Sequence, residues 1–137
     1  MQDECRGAYY CLPQVVASLT VLSLEGVRLE ACSPISLPSL KSFVFMEVQV
    51  EAEELHMLVS SCPSLEQFYI DECGKLHLWV SSLTLKLLDI FGEWTTIQVE
   101  AVNLQTFVYV GQDSCHLDLA SCKNIQDLSL IMASFLS

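Results

Sequence analysis

The frame L-x-x-L-x-L, with other apolar residues standing in for some of the leucines, recurs six times along the chain and limits its fold more than any other feature. The fullest copy is Leu19-Thr20-Val21-Leu22-Ser23-Leu24, continued by Val27 and Leu29. The others are Leu40, Phe43 and Phe45, followed by Val48 and Val50; Leu65, Phe68 and Ile70, followed by Cys73 and Leu76; Leu85, Leu88 and Ile90; Leu104, Phe107 and Tyr109; and Ile125, Leu128 and Leu130. Successive copies start 21, 25, 20, 19 and 21 residues apart. A recurring spacing in this range is the mark of a solenoid, in which each period is one turn of a coil.

The second and third apolar positions of each copy lie two residues apart, so on a strand they share one face and the residues between them take the other. A single turn cannot shield its own apolar face. Stacked turns can, because their Leu, Phe and Ile rows merge into one core while the strands pair in parallel. The frame therefore predicts an α/β leucine-rich repeat solenoid, with a curved parallel sheet on the concave side and short strands plus one helix on the convex side. It reads as one domain over 1–137, of about six repeats and apparently truncated at both ends.

The return segments differ in kind. Glu51 to Cys62 has acidic residues in its first turn, Leu55, Leu58 and Val59 on one face and Pro63 just beyond, which predicts the helix and explains the longest spacing. The runs Leu76 to Val80, Ile97 to Val99 and Leu117 to Leu119 alternate instead, which predicts outer strands.

Composition narrows the partners. The chain has 137 residues, of which 52% are hydrophobic and 17% charged, so it can bury a real core. Its net charge of -11 repels phosphate backbones and anionic head groups, which argues against nucleic acid and membrane surfaces. The longest apolar stretch, Leu76 to Ile90, contains Lys86 and Asp89, and the polar start Met1 to Arg6 does not look like a secretory signal. Seven cysteines, with no C-x-x-C pair, read as free and mostly buried thiols in a reducing compartment, so a cytoplasmic or nuclear location is expected. No cofactor motif or metal-ligand spacing is present, and Cys115 beside His116 is no nucleophile pair, since neighbours on a strand face opposite ways.

The phrases Leu37-Pro38-Ser39-Leu40-Lys41-Ser42 and Ser61-Cys62-Pro63-Ser64-Leu65-Glu66, with Glu53-Glu54-Leu55 between them and Cys73 after, resemble the repeat region of plant F-box/LRR and F-box/FBD/LRR proteins over about residues 9–130. Tyr9 to Val16, running into Ser18 to Leu22, is similar to that family's first repeats. The resemblance implies a non-enzymatic scaffold that recognises targets for a cullin-RING ubiquitin ligase. An N-terminal F-box would dock the ligase adaptor, but no F-box precedes the repeats in this sequence, so only the target-binding half carries over and the protein target is unknown.

Outward strand positions should form the binding face. They are Val21, Ser23 and Glu25; Ser42, Val44 and Met46; Gln67, Tyr69 and Asp71; Leu87, Asp89 and Phe91; Thr106, Val108 and Val110; and Asp127, Ser129 and Ile131. Leu87, Phe91, Val108, Val110 and Ile131 are expected to gather into one exposed apolar patch with Asp71, Asp89 and Asp127 beside it, and Tyr69 and Phe91 to act as its anchors. Trp79 and Trp94 fall in return segments and should pack on the convex side. Two other readings compete: a truncated structural remnant without independent activity, and a coil of a parallel β-helix enzyme, against which the helix and the lack of clustered carboxylates both weigh.

Overall fold

A computed structural model describes residues 8–10, 17–29, 37–71 and 77–133, the first of these segments by its backbone. Twelve elements follow one another: β1 (Ala8–Tyr10), β2 (Val21–Glu25), β3 (Val27–Leu29), β4 (Ser42–Met46), α1 (Ala52–Ser60), β5 (Gln67–Asp71), β6 (His77–Ser81), β7 (Leu87–Gly92), β8 (Thr96–Glu100), β9 (Thr106–Gln112), β10 (His116–Asp118) and β11 (Asp127–Ala133). Six of them form one parallel sheet in the order β11-β9-β7-β5-β4-β2, which is chain order read backwards. Each of these strands thus pairs with the same strand of the preceding and following turn, as a solenoid requires.

The pairing keeps the repeat frame in register throughout. Leu22, Phe43, Phe68, Leu88, Phe107 and Leu128 form one cross-sheet row, and Leu24, Phe45, Ile70, Ile90, Tyr109 and Leu130 form the next. Phe43, Phe45, Phe68, Leu88, Ile90 and Phe107 are fully buried. The rings of Phe43, Phe45 and Phe68 meet at 5.2 to 5.7 Å, two of the three contacts edge-on, which is the arrangement that suits their opposed edge and face charges. The ends of the stack differ: Leu128 and Leu130 lie on β11, the edge strand of the described sheet, and are 56% and 43% exposed. Their expected place in the shared interior is therefore only half realised.

The convex side carries the rest. β10, β8 and β6 form a three-stranded parallel sheet, and β1 pairs with β3. β6, β8 and β10 are the expected outer strands, whereas the β1–β3 pair was not anticipated, and α1 is the expected helix, its Leu55, Leu58 and Val59 turned into the core. Leu78, Val80, Ile97 and Val99 close the core from this side. Trp94 is buried and donates its indole N–H to the Phe91 carbonyl at 3.0 Å. Trp79 lies flat on His56 of α1, with ring centroids 3.5 Å apart, and so pins the helix to β6. Cys73 and Leu76 lie outside the described residues, as do four of the seven cysteines.

A second ladder runs along the starts of the strands. The carbonyls of Thr20, Lys41, Glu66, Lys86 and Gln105 each accept two consecutive backbone N–H groups from the next turn, at 2.8 to 3.1 Å. One position earlier than each leading apolar residue, Ser64 bonds the Pro38 carbonyl, Asn103 that of Leu83 and Asn124 that of Val102, at 2.7 to 2.8 Å. The two Pro-Ser phrases of the sequence are thus joined to each other across neighbouring turns.

Candidate functional site

Because the sheet is in register, its outward residues also fall into rows. Gln67, Leu87, Thr106 and Asp127 make the first, Tyr69, Asp89, Val108 and Ser129 the second, and Asp71, Phe91, Val110 and Ile131 the third. The five apolar residues expected to form one patch are divided among these rows. Phe91, Val110 and Ile131 are contiguous, Val108 sits beside Asp89, and Leu87 stands apart on the other side of Asp89. Nor are they uniformly exposed: Ile131 is 58% exposed on the edge strand, while Leu87, Phe91, Val108 and Val110 are half-buried. Strands about 4.8 Å apart let side chains of this size shade one another, so the face is a ribbed surface rather than an open apolar plate.

Its centre is an aromatic pair. Tyr69 and Phe91 approach to 5.1 Å between ring centroids at an interplanar angle of 34°. Burial pushes the Tyr69 hydroxyl above its ordinary pKa, helped by the nearby charges of Asp71 and Asp89 and by its hydrogen bond to Asp71. Asp89 lies between Tyr69 and Val108, and burial raises its carboxyl pKa. One of its oxygens, Oδ1, is shut off from solvent and has no hydrogen-bond partner.

A second concavity, not anticipated from the sequence, runs along the rim where the strands start. It encloses about 750 Å³ and is lined by Lys41, Ser64, Glu66, Thr84, Lys86, Asn103, Gln105 and Asn124, among others. A Lys41–Glu66 ion pair at 3.6 Å crosses it. The signal lay in the residue before each leading apolar position, which is Ser18, Ser39, Ser64, Thr84, Asn103 and Asn124 in turn, a polar column as regular as the apolar ones. Its side chains are largely engaged in joining turn to turn, which makes it structural before anything else.

Among the described residues, no group of three or more metal-ligating side chains comes together, and no helix is long and apolar enough to cross a membrane. The described cysteines are free thiols: burial pushes Cys62 up to about 12 and also raises Cys115 and Cys122. Cys115 is buried and His116 exposed, so the two side chains diverge.

Comparison with known proteins agrees with the architecture. No curated protein matches the chain, and neither does any solved structure. A family model described as the LRR domain of At1g61320/AtMIF1 matches residues 11–137, nearly the whole sequence. With its turns in register and that match spanning them, the chain belongs to the At1g61320/AtMIF1 leucine-rich repeat domain family.

Proposed function

We propose that the chain is a protein-binding scaffold that holds a segment of its target along the outward face of the six-stranded sheet. In this reading it is the target-recognition part of an F-box type ubiquitin ligase receptor. The observation that carries the first part is the ribbed face itself, where the aromatic pair Tyr69–Phe91 and the row Phe91, Val110 and Ile131 lie among Asp71, Asp89 and Asp127. Aromatic residues at the centre of a patch and charged ones around it are what an interface hot spot needs. The contributing residues are Tyr69, Asp71, Leu87, Asp89, Phe91, Val108, Val110, Asp127 and Ile131. The ligase part rests on the resemblance of the Pro-Ser phrases to F-box/LRR repeats. It would make the ligase adaptor a partner only through an F-box encoded with this segment, acting in the cytoplasm or nucleus.

The test of the face is binding to a candidate target by the chain and by the Phe91→Asp, Val108→Asp double variant. Met57→Asp, on the exposed side of α1, is the control. Loss of binding in the double variant alone is the expected result, and equal binding by all three would remove the face from consideration. The ligase role is tested separately, by co-purification of the adaptor with the full coding product; its absence from that product would refute the role.

A further inference from the structure

The outward positions of the six strands include four carboxylates, Glu25, Asp71, Asp89 and Asp127, and no Lys, Arg or His. A face of one sign selects an oppositely charged partner and speeds its approach. Within that face one carboxylate is left unserved. Oδ1 of Asp89 is cut off from water and accepts no hydrogen bond, a state that costs free energy wherever it persists. The elements beside it do not supply a donor: β5 presents Tyr69, whose hydroxyl is bonded to Asp71, and β9 presents Val108. Next to Asp89, the Tyr69–Phe91 pair offers ring surface. Ring faces beside carboxylates are the surroundings in which a guanidinium or ammonium group is held best, by ring attraction and by charge-assisted hydrogen bonds together.

We propose that the sheet face docks a basic, extended protein segment, one arginine or lysine of which lies against Tyr69 and Phe91, moves aside the groups that cover Oδ1 and donates to the carboxylate of Asp89. This rests on the reading of the sheet face as the binding surface. An arginine fits better than a lysine, because its planar fork can both lie on a ring and bond a carboxylate.

The proposal makes Asp89 a residue that helps binding at the expense of the free protein. Its folded pKa is raised by burial, so it binds protons more readily folded than unfolded. Stability is then gained as pH falls through the folded pKa and is lower above it. Replacing Asp89 with Asn removes the charge and keeps the shape. Asp89→Asn should therefore raise Tm at pH 7, with a smaller rise near pH 4, while weakening the partner.

The experiment uses the full chain on an array of nine-residue peptides with Arg, Lys, Gln or Glu at the central position and varied flanks. Arg and Lys peptides should be retained at least about tenfold better than Gln and Glu peptides, as expected for a charge-assisted bond worth about 1.5 kcal/mol or more, and less well at high salt. Asp89→Asn should bring Arg peptides down to the level of Gln peptides. The net charge of -11 attracts any basic peptide, so Glu53→Gln on α1 serves as the equal-charge control and should leave the ranking intact. Peptides without a basic preference, yet lost on Phe91→Asp, would overturn this inference and spare the face as an interface. Peptides indifferent to Phe91→Asp, or none retained at all, would overturn both, and a fall in Tm for Asp89→Asn would make that residue structural and refute its proposed role.

Discussion

The step just past the third outward position of a repeat places its own demand on the backbone. Gly26, Glu47, Gly92 and Gly111 occupy this step in four of the repeats, and the first three have positive φ, at 70°, 55° and 117°. Only glycine adopts this conformation without penalty, so Glu47, exposed and free of packing demands, is the misfit. Glu47→Gly should stabilise the protein by about 0.5–1 kcal/mol, read as a higher denaturant midpoint. Gly111 demands glycine for another reason. A Cβ there would collide with the Gly92 carbonyl oxygen and the Tyr109 ring, whose hydroxyl reaches over to bond the Gln112 carbonyl at 2.9 Å. Gly111→Ala should cost about 1–3 kcal/mol by the overpacking it forces. Neither demand was legible in the sequence, because backbone dihedrals and close approach leave no periodic apolar trace. Thiol chemistry follows burial in the same way. With its pKa pushed up to about 12, Cys62 should resist alkylation at pH 8 in the native protein and react on unfolding, which mass mapping of labelled peptides can check.

At the scale of elements, the sequence was most readable where period and burial coincide. The frame placed all six strands of the main sheet and their register, since a slip of one residue would turn every Leu, Phe and Ile row outward. The helix was expected over 51–62 and forms over Ala52–Ser60, with Cys62 buried just beyond its end. The alternating runs were expected as outer strands and pair as such. The polar column was missed because its role is hydrogen bonding between turns, which apolar periodicity does not report. Asn103→Ala and Asn124→Ala should each lower stability by about 0.5–1.5 kcal/mol, the usual net worth of one such bond. Phe68→Ala, in the fully buried aromatic cluster, should cost about 3–5 kcal/mol. Chemical denaturation of the three variants checks the order, and an asparagine variant falling as far as Phe68→Ala would contradict it. The outward face of the sheet was legible as positions and not as a surface: period two told which residues point outward, whereas their division into rows by Asp89 depends on neighbouring strands.

For the molecule as a whole, the stack is linear, so each turn leans only on its neighbours. The edge strand β11 presents Leu128, Leu130, Ile131 and Met132 to solvent, and an open apolar edge invites pairing with another chain. Self-association should rise with concentration and fall in the Leu128→Lys, Leu130→Lys variant; unchanged sedimentation of the two would show that the edge is inert. The paired N–H groups that meet each carbonyl at the strand starts have a different consequence. They clamp the coil at one fixed point per turn, like the spine of a bound book, whereas the opposite side has already accommodated a helix in one turn and a short strand in others. Foreign loops spliced into those outer returns should be carried without unfolding, whereas even one residue added beside Lys41, Glu66 or Lys86 would throw the remaining pages out of line.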